Sequence, residues 1–122
     1  MFEPPTAVVA VVDDDAGMLQ AMCRVLETEG FVTEAFGTAE DFLASGAAAR
    51  AQCLVLDVQL PGASGPELQR RLHTLGRWIP SVFVTGREPR PAGRCLLKPF
   101  PADSLVRAVH ESMTTEAWLR SP

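Results

Sequence analysis

Cysteine is scarce in this chain and has no pattern: Cys23, Cys53 and Cys95 are odd in number, far apart and without C-x-x-C spacing. Neither a disulfide framework nor a zinc site is suggested, and a reducing compartment fits. Basic charge is in deficit. Against 15 Asp and Glu stand 11 Lys and Arg, for a formal net charge of -4 and a pI near 5.1, which argues against a polyanion-binding face. Long apolar runs are missing too. The N-terminal MFEPPTAVVAVV has no basic leader, and its apolar part is far too short for a membrane span. A soluble cytoplasmic protein without direct nucleic-acid or membrane contacts is the expectation. What the chain does have is apolar content, 47% over 122 residues, enough for the core of one ordinary domain without covalent staples.

The apolar stretches are of two kinds, and they alternate. AVVAVV (7–12), FVTEAF (31–36), CLVLD (53–57), SVFVT (81–85) and RCLLK (94–98) are short and β-branched or wholly apolar, as strands are. Between them the apolar residues recur at helical spacing. Leu19, Met22 and Leu26 share a face, with Gly30 as a C-terminal stop. Thr38 with Asp41 resembles a capping box, and AEDFLASGAAA continues as one short helix. Pro66 suits a first turn, and Leu68, Leu72 and Leu75 lie on one face until Gly76. Pro101 opens a last helix in which Leu105, Val109 and Met113 share a face. His73 and His110 fall on helices as surface or boundary residues.

Strands alternating with helices imply βαβ units, hence an α/β fold with a parallel sheet covered on both faces. In such sheets ligands bind beyond the carboxyl ends of the strands. There the sequence places Asp13, Asp14 and Asp15 after strand one, Asp57 after strand three, Thr85 after strand four and Lys98 after strand five. Singly, each has an ordinary explanation: Asp starts helices, Asp and Thr make turns, and a residue before proline is extended. Their conjunction on one edge is what suggests a site. Adjacent carboxylates there would be costly without a cation among them.

VVDDD, LVLDVQLPGASG, VFVTG and LLKPF, in that order and each at a strand end, resemble the receiver domain of two-component response regulators, a flavodoxin-like fold. The likeness runs from about residue 7 to residue 115, one receiver domain within residues 1–122, and the first half is similar to the nodulation and nitrogen-fixation regulator type. The resemblance implies a five-stranded sheet in order 2-1-3-4-5. It also implies that Asp57 accepts a phosphoryl group from a histidine kinase or histidine phosphotransfer protein and signals by conformational change. Asp14 and Asp57 would bind Mg2+ directly, with the backbone carbonyl of Gln59 and, through water, Asp13. Lys98 and Thr85 would contact phosphoryl oxygens, Gln59 and Arg87 would flank the path of the hydrolytic water, and Pro99 would follow a cis bond. Such a chain is no general enzyme; its chemistry is limited to its own phosphorylation and dephosphorylation. Magnesium suits the donor set, since it takes oxygen ligands and binds through one or two carboxylates plus phosphate, and phosphoryl transfer is mainly positioning and charge neutralisation.

Two departures from the family stand out. Cys95 occupies the place of an aromatic switch residue, in a chain with no tyrosine. Only twelve residues, Gly86 to Leu97, separate Thr85 from Lys98, too few for the family's fourth helix. The eight residues Gly86 to Gly93 would rise only about 12 Å as a helix but reach roughly 26 Å extended, so REPRPA is expected as an extended loop. Two other readings stay open: a receiver-like interaction module that takes no phosphate, and a small haloacid-dehalogenase-type phosphatase using Asp13 and Asp15.

Overall fold

The computed structural model describes residues 7–87 and 94–120, the last six by their backbone. Strand β1 (Val8–Val12) leads to helix α1 (Ala16–Thr28), β2 (Val32–Phe36) to α2 (Ala39–Ser45), and β3 (Cys53–Asp57) to α3 (Gly65–Thr74). Strands β4 (Ser81–Thr85) and β5 (Cys95–Leu97) precede α4 (Ala102–Arg120). All five strands are parallel, in the order β2-β1-β3-β4-β5. This is the expected α/β architecture and strand order.

Alternation along the strands splits the core in two. Val9, Val11, Cys53, Val55, Val82 and Val84 face Met22, Leu26, Leu105 and Val109 of α1 and α4. Ala10, Val12, Leu54, Leu56 and Phe83 face Phe42, Leu68 and Leu72 of α2 and α3. Both faces of β1 and β3 are therefore apolar, and these strands read as unbroken hydrophobic runs. Fully burying one such aliphatic side chain is worth about 1.5–3 kcal/mol, so the two layers hold the sheet firmly beneath its carboxyl edge.

The sequence signals are realised with three differences, two in helices and one in a strand. Thr38 caps α2, its hydroxyl accepting the Asp41 amide at 2.9 Å, but the expected single helix stops at Ser45. Gly46 adopts φ +79°, a left-handed conformation that ends an α-helix, and Ala47–Ala49 follow as a 3-10 turn. Leu75 does not join the buried face of α3. It sits at the C-cap and is 67% exposed, because the chain has already turned toward Gly76, at φ +77°. The fifth strand is shorter than its apolar run, with only Cys95–Leu97 in register with Phe83–Thr85. Among the described residues no helix separates β4 from β5; of the expected REPRPA loop, residues 88–92 lie outside them. No helix of the described residues is long and apolar enough to cross a membrane.

Candidate functional site

The register brings the polar strand ends together. Val12 of β1 pairs with Leu56 of β3, so Asp13, the next residue, stands level with Asp57. Asp57 pairs with Val84, and Thr85 with Leu97, which sets Lys98 one step beyond β5. Lys98 is anchored there by its amide, which donates to the Thr85 carbonyl at 2.7 Å, and the Lys98–Pro99 bond is cis, as the resemblance implied.

Asp13, Asp14 and Asp15 divide the work of one short turn. Asp13 points inward and is fully buried; its Oδ1 accepts the Asp15 amide at 2.9 Å. Asp14 is exposed. Asp15 caps α1, accepting the Met18 amide at 3.0 Å, which is the helix-start role that Asp favours. Asp57 is 6% exposed, and its Oδ1 accepts the Gln59 amide at 2.9 Å.

Lys98 spans the two buried acids. Its Nζ lies 3.0 Å from Asp13 Oδ2 and 3.2 Å from Asp57 Oδ2. Partial burial alone disfavours its charged form, but the hydrogen bonds to Asp13 and Asp57 outweigh it and hold the ammonium above its ordinary pKa. Burial pushes the Asp13 carboxyl up; the Asp15 amide and the Lys98 ammonium draw it back, and the Asp57 charge raises it again, leaving it above the usual carboxylate range. Among the described residues, one ammonium thus faces three clustered carboxyl groups.

Carboxylate oxygens of Asp13, Asp14 and Asp57 lie within 4.8 Å of one another. Three hard oxygen donors this close, one of them exposed, suit a divalent cation such as Mg2+. Thr85 is placed differently. It is 2% exposed, and its hydroxyl accepts the Arg87 amide at 3.2 Å and donates to the Arg87 carbonyl at 3.4 Å. The structure thus groups Asp13, Asp14, Asp57 and Lys98 directly, with Thr85 at the same edge but turned into a local loop.

Sequence reasoning passed over three features. Lys98 is the single lysine of the chain, a signal that counting would have found. Gly65 packs so closely that a Cβ there would stand 2.5 Å from the Asp57 carbonyl oxygen; its place in LPGASG hinted at this. Glu40 of α2 accepts the amide of Ala63, in the loop before α3, at 3.2 Å, and no motif marked it.

Comparison with known proteins bears on the family directly. Residues 9–110 match the family described as response regulator receiver domain. Response regulator protein TodT of Pseudomonas putida is 32% identical over 124 residues, covering 94% of this chain and 55% of that protein. Nodulation protein W of Bradyrhizobium diazoefficiens is 38% identical over 112 residues, covering 84% and 49%. The chain thus spans about half the length of the curated relatives it matches. The solved structure of response regulator StyR superposes with a TM-score of 0.84 at 33% identity, over 95% of this chain and 63% of that one. A CheY-like receiver from Methanospirillum hungatei, at 24% identity, shares the fold with a TM-score of 0.81 over 94% and 99%. With strand order, acidic edge and bridging lysine in place, the chain belongs to the response regulator receiver domain family.

Proposed function

We propose that this receiver takes a phosphoryl group onto Asp57 from the phosphohistidine of a histidine kinase or histidine phosphotransfer protein, in Mg2+-dependent two-component signalling in the cytoplasm. The observation that carries the reading is the Lys98 ammonium bridging Asp13 and Asp57 within hydrogen-bond distance, with Asp14 beside them. Asp14, Asp57 and the Gln59 carbonyl would hold the metal, Asp13 through water. When bound, Mg2+ supplies charge neutralisation between the acidic cluster and the incoming phosphoryl group.

The chain's own residues do the rest. A carboxylate oxygen of Asp57 forms the new P–O bond while the P–N bond to histidine breaks and the imidazole keeps the electron pair, giving an acyl phosphate. The Gln59 amide holds Asp57 Oδ1, which leaves Oδ2, on the Lys98 side, as the attacking atom. Lys98 can move from Asp57 to a phosphoryl oxygen as charge shifts there, a role suited to a flexible point charge. Thr85 would release the Arg87 backbone to donate its hydroxyl to another phosphoryl oxygen. That release is a conformational change at the end of β4, and through it the site would signal. FixJ of Rhizobium meliloti is named a transcriptional regulatory protein and is 31% identical over 109 residues, so control of transcription is the output we propose for a longer protein carrying this receiver.

Mass spectrometry after incubation with acetyl phosphate and Mg2+ tests the reading. Wild type should gain one phosphoryl mass that hydroxylamine removes, and Asp57→Asn should gain none while keeping its circular dichroism spectrum. Unchanged labelling in that variant refutes Asp57 as acceptor; no labelling of wild type favours the phosphate-free interaction module.

A further inference from the structure

Helix α2 reaches the acceptor loop through one side chain. Glu40, in the first turn of α2, accepts the Ala63 amide at 3.2 Å. Its carboxylate also lies 3.0–3.3 Å from where a Cβ on Gly62 would stand, and Gly62 has φ +73°. The left-handed backbone calls for glycine at this point, and the Glu40 carboxylate occupies the space beside it.

The loop from Asp57 to Gly65 is secured at its two ends. The Gln59 amide binds Asp57 Oδ1 at 2.9 Å, and the Gly65 amide donates to the Val58 carbonyl at 3.2 Å. Leu60 and Ala63 are buried against the sheet. Between these anchors the chain turns through Gly62, and there the Glu40 carboxylate meets it. A backbone N–H beside a buried side chain needs a partner, and a charged acceptor makes the stronger bond.

We infer that Glu40 is a positioning residue: its carboxylate clasps the Ala63 amide and holds the loop carrying Gln59 in the arrangement the metal site requires. The metal part rests on the function proposed above; the clasp itself does not. The competing explanation is that an acid in the first turn merely favours the dipole of α2. Asp41, the other acid of that turn, would serve equally well, and the dipole needs no partner in the loop.

Three variants separate these explanations, with amide hydrogen exchange by NMR read in metal-free buffer and Mg2+ affinity read by calorimetry. Glu40→Ala should speed exchange at Ala63 and weaken Mg2+ binding about 3- to 10-fold, less than the roughly 10- to 100-fold typical for a direct partner of a metal ligand. Glu40→Gln, which keeps an acceptor oxygen, should restore most of both, and Asp41→Asn should change neither. If Glu40→Ala lowers only the melting temperature, or if Asp41→Asn matches it in exchange and affinity, the clasp is wrong. Should wild type bind no Mg2+, the metal reading fails, and exchange at Ala63 alone decides the clasp.

Discussion

Lys98 carries its ammonium into a site that already holds two buried carboxylates, and this pairing has a pH signature. Its pKa lies above the ordinary 10.5, so the folded state holds the proton more tightly than the unfolded chain. The resulting stability is complete below pH 10.5 and is lost as pH rises through the folded value. With one lysine and no tyrosine in the chain, the other side chains titrating near there are cysteines. Denaturant titrations in metal-free buffer should show wild type losing more stability than Lys98→Met between pH 10 and about 12. Parallel declines would show that the bridge contributes nothing. Asp14 differs from Asp13 in being exposed, so Asp14→Ala should keep or slightly raise the melting temperature without metal by relieving repulsion. The same change should weaken Mg2+ binding by at least about tenfold, since even partners of metal ligands are worth that much. Equal affinity in calorimetry would remove Asp14 from the ligand set.

At the scale of elements, the junction of β3 with α3 is the tightest constraint on the acceptor. Ser64 caps α3, accepting the Glu67 amide at 3.2 Å, and Pro66 sits in the first turn, so the helix start is set locally. Gly65 then lies against the Asp57 carbonyl. Any side chain there must push the helix away from the strand that bears the acceptor. Gly65→Ala should cost about 1–3 kcal/mol in chemical denaturation, as overpacking does, and should slow labelling by acetyl phosphate. Wild-type stability and rate in this variant would show that the junction yields without consequence. The motif LPGASG was legible as a turn, but the close approach was not. It arises between a helix and a strand end that local spacing does not bring together.

For the whole molecule, the two-sided core predicts which groups stay closed. Cys53 is fully buried, its Sγ 3.2 Å from the Ser112 hydroxyl, and burial pushes its thiol up to about 11. Alkylation at neutral pH therefore requires global opening. Peptide mapping after iodoacetamide should find Cys53 reacting at least about 1,000-fold more slowly in the native protein than in urea, given typical domain stabilities. Native labelling near the unfolded rate would mean that α4 detaches from the sheet without unfolding.

Much of this protein was readable residue by residue. Strand and helix order follow from apolar periodicity and capping, which are local: Thr38 caps α2 and Gly30, at φ +94°, follows α1 as their types suggest. The acidic and basic strand ends could also be placed on one edge, because parallel βαβ units must align their carboxyl ends. Other features were decided only by packing. The division of Asp13, Asp14 and Asp15 into a buried, an exposed and a capping role depends on which way each side chain faces after β1. The exposure of Leu75 depends on where α3 stops. The grip of Glu40 on Ala63, across 23 positions of sequence, exists only once α2 and the acceptor loop lie side by side, and hydrogen bonds between distant segments leave no periodic trace in the chain.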